Sequence, residues 1–422
     1  MDPFSAPTDG LPGNEVTPAA SSTASRSRRA FLLATATAAI SARGLHAQDS
    51  SANRRQIKIG LIGAGGRGSW IANLFKEHGG YEFHAVADYF QPVAEKAGAS
   101  LGVDKARCFS GLSGFRKVIE SGVEAVLLET PPYFFPEHAA AAVAAGLHVF
   151  MAKPVAVDVP GCLAIEAAAA EATKQKKVFL VDYQIPTDPM NIEVVKRVRD
   201  PAFGPLQHVQ STGICGGFAD PPRGPNLESR LTGLVWVNDI ALGCDYIGNF
   251  DIHAIDAALW LIGERPIKAY GNSRIGRPNP NGDAHDVCSV VFSYANGVVH
   301  NHFGQGLANA TPGAIKAVAY GSKNLAQVDY YKEAYLHGDG PLRFKGGPVD
   351  NLYKNGAVRN IATFYQQVTD GGFSNETVRR SVDGCLTCIL GREAAARNIT
   401  LTMEKLLREN RKLEVDLTEL KA

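Results

Sequence analysis

Three glycines in Gly63-Ala64-Gly65-Gly66-Arg67-Gly68 are spaced G-x-G-x-x-G. Each has a physical use. Gly63 permits a tight turn, Gly65 lets the backbone approach a pyrophosphate, and Gly68 lets a helix pack close to its strand. Asp88 lies 20 residues after Gly68 and can accept hydrogen bonds from an adenosine ribose. Loop and acid together predict a dinucleotide site. A carboxylate at 88 would repel a 2′-phosphate, so NAD is the expected cofactor. Arg67, placed beside the adenosine or on a phosphate, would leave NADP open.

The flanking segments are those that could position this loop. Gln56–Gly63 reads as a buried strand, and Ser69–His78 has apolar residues at 70, 71, 74 and 75, a helical spacing. Glu82–Val86 reads as a second strand ending at Asp88. Strands then alternate with helices: Glu124–Leu128, helix 137–146, Leu147–Met151, helix Asp158–Lys174, and strand Lys177–Val181. Such alternation predicts a Rossmann-type, doubly wound parallel sheet over residues 49–182. Ligands of such sheets lie at the C-terminal strand ends, where Gly63, Asp88, Thr130 and Lys153 fall.

After residue 183 the pattern changes. A helix over Asn191–Arg199 precedes strands at Pro205–Gly213, Ile267–Ser273, Asp286–Tyr294, Val298–Phe303 and Ala314–Tyr320, with Asn296-Gly297 marking a hairpin. Strands without long intervening helices predict a second, α+β unit over 183–422 with a large, mainly antiparallel open sheet.

Oxidising a secondary alcohol needs a base for the hydroxyl proton and a donor or cation for the developing oxygen charge. Lys153 and His253 are the expected catalytic pair. Near another cation and partly buried, the lysine would lose proton affinity, and the histidine titrates near neutrality. Asp256, three residues after His253, can share its helix face. Tyr183 and Gln184, with Asp182, end a predicted strand, and Asn249 could meet a hydroxyl. Tyr183, Gln184, Asn249 and Asp256 are therefore expected to line the substrate pocket. His300 and His302 share one strand face and read as solvent-facing or substrate-contacting, and no metal site is expected. Cys385-Leu386-Thr387-Cys388 lies in a predicted helix, Ser381–Arg397, and reads as packing.

Four stretches carry a resemblance: Gly63–Gly68, Thr130-Pro131-Pro132 with His138, Gly146–Pro154, and His253-x-x-Asp256-x-x-x-Trp260. Through them residues 56–400 resemble the Gfo/Idh/MocA family of NAD(P)-dependent oxidoreductases. The resemblance implies cofactor contacts from Gly63, Ala64, Gly65, Gly66, Arg67, Gly68, Asp88, Thr130, Pro131, His138 and Lys153. It also implies a substrate pocket on one face of the open sheet and homodimer or homotetramer contacts on the other. Two positions depart from the family pattern. Ala152-Lys153-Pro154 stands where Glu-Lys-Pro is usual, and Asn249 stands where an acid often precedes the histidine by four residues. An acid follows at Asp251, but neighbouring strand or helix residues point in different directions.

Residues 1–48 are expected to be a leader. Arg28-Arg29 precedes the weakly apolar Ala30–Ile40, similar to a twin-arginine signal for export to the periplasm or beyond. Seven scattered Cys do not form a disulfide framework, and no uncharged apolar run is long enough to span a membrane. Lys and Arg number 43 against 42 Asp and Glu. Residues 1–48 hold four Arg and three acids, so the remainder is neutral. That balance argues against nucleic acid and suits an uncharged carbohydrate. The expected activity is hydride transfer between a sugar, glycoside or polyol hydroxyl and a tightly bound NAD. Scarce NAD outside the cytoplasm raises an alternative: redox-neutral glycoside cleavage through transient oxidation and elimination. A third reading is an NAD-binding protein that has lost catalysis.

Overall fold

The structure, a computed structural model, describes residues 55–338 and 340–422. The expected leader, with Arg28-Arg29, lies outside the described residues.

The first half alternates as its periodicity predicts. The elements are β1 (Ile57–Ile62), α1 (Gly66–His78), β2 (Tyr81–Asp88), α2 (Gln91–Leu101), β3 (Cys108–Ser110), α3 (Gly114–Ile119), β4 (Ala125–Leu128), α4 (Phe135–Ala144), β5 (His148–Met151), α5 (Val159–Lys174) and β6 (Phe179–Val181). The strands pair in parallel in the order β3-β2-β1-β4-β5-β6. β4, β5 and β6 are buried at every residue, because helices cover both faces of a parallel sheet. That burial explains why they read as continuous apolar runs.

The second half contains α6 (Pro189–Val198), β7 (Leu206–Cys215), α7 (Ile240–Gly243), α8 (Asp245–Asn249), α9 (Ile252–Ile262), β8 (Lys268–Arg274), β9 (Val287–Ser293), β10 (Val299–Gly306), β11 (Ala314–Gly321), β12 (Leu325–Asp329), β13 (Glu333–His337) and β14 (Phe344–Pro348). The chain ends with α10 (Leu352–Asp370), α11 (Glu376–Ala396), β15 (Leu401–Thr402) and α12 (Met403–Glu409). Nine strands form one sheet, ordered β14-β13-β12-β11-β7-β10-β9-β8-β15. Every pairing is antiparallel except β7 with β10. The fold is thus the expected Rossmann sheet followed by a mixed, mainly antiparallel one.

The two faces of the large sheet differ. Along β10, residues 300, 302 and 304 are buried while 299, 301 and 303 are exposed, the period of a half-covered strand. The inner face packs on helices. The outer face leaves Tyr270, Val291, Val299 and Phe303 between 39% and 51% exposed. His300 and His302 therefore lie on the buried face, at 0% and 2% exposure, and not in solvent as their pattern suggested. Their neighbours are Phe292 and Val290 across the pair with β9.

α10 packs against the first sheet. Its Ala357, Ile361, Phe364 and Val368 share one core with Ile57, Ile59, Phe75, Tyr81 and Phe150. The Tyr81 hydroxyl donates to the Ile361 carbonyl at 2.8 Å, and the Trp70 and Tyr353 rings stack at 4.3 Å. This return holds Tyr353 against the start of α1. Phe364 is fully buried, so Phe364→Ala should lower unfolding stability by about 3–5 kcal/mol. Denaturant titration of purified wild type and variant measures it.

Candidate functional site

The loop between β1 and α1 forms a cradle. Gly63 has φ +94°, a conformation that favours glycine, and a Cβ there would sit 2.5 Å from the Glu129 carbonyl carbon. A Cβ on Gly68 would lie 1.9 Å from the Gly63 carbonyl oxygen, so only glycine allows α1 this close to β1. Gly65 and Gly66 have nothing within 4 Å of their would-be Cβ atoms. Helix α1 opens without a side-chain cap. Its first N–H groups and positive dipole end are therefore available to an anion.

Asp88 closes the other side. Its Oδ2 accepts from the Ala64 N–H at 2.8 Å and its Oδ1 from the Phe90 N–H at 3.0 Å. These bonds fix the carboxylate at the end of β2, and burial raises its pKa. A cavity of about 430 Å³ runs along this edge, lined by Gly63, Gly65, Asp88, Thr130, Pro131 and His138. Leu231 and Trp236, from the connection between β7 and α7, complete the wall. The His138 ring lies 4.1 Å from Phe115 and 5.9 Å from Phe134. Burial pushes its pKa down to about 3, so it is a neutral ring. Open glycines, an uncapped helix end, a fixed carboxylate and an aromatic wall fit a dinucleotide.

Arg67 departs from expectation. Its guanidinium turns away from the adenosine side. Nε lies 3.1 Å from Glu129 Oε2, and one terminal nitrogen donates to Asp182 Oδ2 at 2.5 Å. The other reaches the Tyr353 hydroxyl at 3.2 Å. Burial opposes the charge, but Glu129, Tyr353 and Asp182 outweigh it and raise the arginine's pKa. Two buried carboxylates draw it inward more strongly than the open cleft could.

Lys153 follows β5 and is half-buried. Its Nζ donates to the Asn249 backbone carbonyl at 2.6 Å. Burial, then the Arg67 cation, pushes its pKa down to about 7, against the pull of Asp182 and Glu129. The amine therefore exchanges its proton near neutrality. His253 is buried and its Nδ1 has no hydrogen-bond partner among the described residues. Its ring packs edge-on to Tyr183 and Tyr330, at 6.0 and 5.4 Å. Burial, then the charges of Lys153 and Arg67, hold it well below its usual value.

The expected substrate residues fare differently. Asn249 meets Lys153 through its backbone, while its amide lies 3.5 Å from the Gly243 carbonyl. Gln184 is buried and occupied: its amide donates to Asp182 at 2.7 Å and its carbonyl accepts from Tyr330 at 3.2 Å. Tyr183 places its hydroxyl next to α11, where a Cβ on Gly384 would be 3.6 Å away. Asp256 is fully buried, with both oxygens held by Arg380 at 2.5 and 2.6 Å. Gln184 and Asp256 thus have their polar ends committed to other side chains, while the Tyr183 hydroxyl is buried without a hydrogen-bond partner among the described residues.

Sequence reasoning missed Glu129, Tyr330 and Tyr353. Glu129 carried a signal: an ionisable residue at the C-terminal end of a parallel strand, directly before Thr130. The tyrosines carried none, being far along the chain.

Beneath the large sheet lies a polar chain. Asp251, Cys288 and His302 offer ligand-type atoms within 4.8 Å of one another. One proton order satisfies the whole row. The Tyr294 hydroxyl donates to His300 (3.1 Å), His300 to Ser211 (2.7 Å), Ser211 to His302 (2.8 Å), and His302 to Asp251 (3.2 Å). The Cys288 thiol also faces Asp251, at 3.6 Å. Asp251 thus serves the sheet instead of Lys153. Cys385 and Cys388 are buried in α11, and all seven cysteines are free, consistent with packing.

Residues 57–183 match the family model described as oxidoreductase family, NAD-binding Rossmann fold. This stretch is similar to the Gfo/Idh/MocA oxidoreductases. A levoglucosan dehydrogenase from Pseudarthrobacter phenanthrenivorans is 25% identical over 272 residues, covering 58% of this chain and 66% of that protein. An inositol 2-dehydrogenase from Rhizobium meliloti is 24% identical over 243 residues, covering 57% and 66%. The match spans just under two thirds of these relatives' length. A solved levoglucosan dehydrogenase in complex with NADH shares the fold, with a TM-score of 0.68 at 18% identity, covering 83% of this chain and 99% of that one. Among the described residues no helix is long and apolar enough to cross a membrane.

His138 gives a pH test. Its folded pKa, about 3, lies below the unfolded value near 6.5, so the unfolded chain binds the extra proton between those limits. That part of the stability is present above about pH 6.5 and is lost as pH falls toward 3. His138→Phe should flatten the acid-side stability slope by at most about 1.4 kcal/mol per pH unit, read by denaturant midpoints from pH 4 to 7.

Proposed function

We propose that this chain is an NAD-dependent oxidoreductase that moves hydride between a secondary hydroxyl of a sugar or polyol and its cofactor. The observation that carries this reading is Lys153: an amine near its neutral form, half-buried, following a central strand at the edge of the NAD cleft. The names of the relatives, dehydrogenases of levoglucosan and of inositol, support the substrate class.

Bound NAD supplies the hydride acceptor. The remaining work falls to the chain. Lys153, neutral in a large fraction of molecules near pH 7, takes the hydroxyl proton as the carbon loses hydride. The resulting ammonium then steadies the new carbonyl oxygen. The Asn249 carbonyl holds Nζ in place. The unpartnered, neutral His253 offers a second hydrogen-bonding position beside Lys153.

Lys153→Ala should lower turnover by roughly 10²–10⁴-fold while NAD binding, followed by calorimetry, persists. A panel of sugars, glycosides and polyols provides the assay. Accumulating NADH supports the dehydrogenase. Glycoside cleavage at constant redox state would replace it with the redox-neutral alternative, and retained NAD without turnover would point to lost catalysis.

The exposed face of β8–β10 supports a homo-oligomer within the same proposal. Tyr270, Val291, Val299 and Phe303 form an apolar patch on one face, and such patches mark association sites. Phe303→Asp should shift the protein to monomer in light scattering; a wild-type monomer would remove this part of the reading.

A further inference from the structure

Glu129 stands in the charge cluster with both side-chain oxygens left without hydrogen bonds among the described residues. Its side chain is 1% exposed. Arg67 Nε, 3.1 Å away, is an ion-pair neighbour whose angle does not make a hydrogen bond. A buried carboxylate with free lone pairs is expensive, so its place needs a reason.

Strand register supplies one. β4 and β5 pair Leu128 with Met151, and the Ala152 N–H donates to the Leu128 carbonyl at 3.1 Å. The next residues, Glu129 and Ala152, therefore stand side by side at the C-terminal edge of the sheet. Lys153 comes directly after Ala152. Ala152 is buried and uncharged, so the strand bearing the lysine provides no carboxylate there. The neighbouring strand does. Glu129 also lines the NAD cavity beside Gly63 and Thr130.

Five groups act on the Lys153 charge: Arg67 at the start of α1, Asp182 after β6, Glu129 after β4, Cys215 at the end of β7, and His253 on α9. Burial keeps the Cys215 thiol protonated and the His253 ring neutral. Arg67 is a permanent cation. Asp182 is already occupied, accepting from Arg67, Gln184 and Asn360 at 2.5, 2.7 and 2.7 Å. That leaves Glu129 as the acid with uncommitted oxygens.

We propose that Glu129 is a positioning residue for Lys153, adding from the adjacent strand a negative charge that works beside Asp182 in holding the lysine's proton. In the reaction proposed above, on which the catalytic side of this inference rests, the substrate O–H bond breaks and its proton joins Lys153 Nζ. The C–H bond breaks as hydride passes to NAD, and the oxygen's electron pair closes the carbonyl. Lys153 ends as an ammonium, and an ionised Glu129 stabilises that product. Arg67, which repels the ammonium, is ion-paired with the same carboxylate.

The test reads Lys153 directly and needs no substrate. The purified full chain is pulse-labelled with acetic anhydride from pH 5 to 10, and acetylation of the Lys153 peptide is quantified by mass spectrometry. Wild type should give a midpoint near pH 7. Glu129→Gln should move it down by about one unit, a roughly tenfold rise in neutral amine. Glu129→Asp, which keeps the charge but withdraws it by one methylene, should move it down less. It carries the test if the glutamine variant does not fold. An unmoved or raised midpoint in a folded variant overturns the proposal. Where a substrate is turned over, the acid limb of kcat against pH should shift by the same amount, which a purely packing role would not do. If no sugar or polyol is oxidised, the functional reading fails while the labelling midpoint still judges Glu129.

Discussion

The Arg67 guanidinium is the contact on which the site's geometry depends. It sits in the first turn of α1, yet its partners come from the end of β4, the end of β6 and the start of α10. The partners Asp182 and Tyr353 lie 115 and 286 residues away in sequence. Buried ion pairs roughly balance the desolvation of their members, but removing one member strands the other. The glycine loop, the Asp182–Gln184–Tyr330 row and the Tyr353–Trp70 stack are consequently tied to one cation. The cofactor loop cannot change shape without disturbing the charges that set the proton affinity of Lys153.

The parallel sheet explains why these charges meet at all. Each strand delivers its next residue to the same edge: Gly63 after β1, Asp88 at the end of β2, Glu129 after β4, Ala152 and Lys153 after β5, and Asp182 after β6. Five strands thus bring the glycine loop, Asp88, Lys153 and two further acids to one side. The edge is partly closed by other elements, so water screens these charges weakly. The amine loses proton affinity and Glu129 gains it, to about 7 in both cases. Burial is the largest influence on each, and the opposite charges only temper it.

The second sheet handles its polar groups differently. Tyr294, His300, Ser211, His302 and Asp251 pass one hydrogen-bond direction from the strands to the start of α9. Asp251 fits because Gly213 and Gly304 leave room: a Cβ on either would come within about 2 Å of its carboxylate. Anchoring the start of α9 in this way presents His253 two residues later. Asp256, farther along, is captured by Arg380 of α11. The helix is held at both points, while the buried His253 Nδ1 keeps no hydrogen-bond partner among the described residues.

Local rules made much of this legible. The spacing of Gly63, Gly65 and Gly68, the strand before them, the helix after them and Asp88 at the end of the next strand are consequences of neighbours in the chain, and they stand where the periodicity puts them. The alternation of strands and helices led to the parallel sheet in the same way, and the Asn296-Gly297 turn to the β9–β10 hairpin. By itself the sequence determined the NAD cradle, the class of both sheets and the place of Lys153 at a strand end. Tertiary structure decided which polar atoms remain free. Arg67 read as a cleft residue and is claimed by Glu129 and Asp182. Gln184 and Asp256 read as pocket residues and are claimed by Asp182, Tyr330 and Arg380. His300 and His302 read as solvent-facing or substrate-contacting and lie buried on the inner face of the sheet. The reason is physical: a charge or hydrogen-bond donor takes the partner that folding brings nearest in low dielectric, and that partner lies tens to hundreds of residues away, beyond the reach of any local spacing.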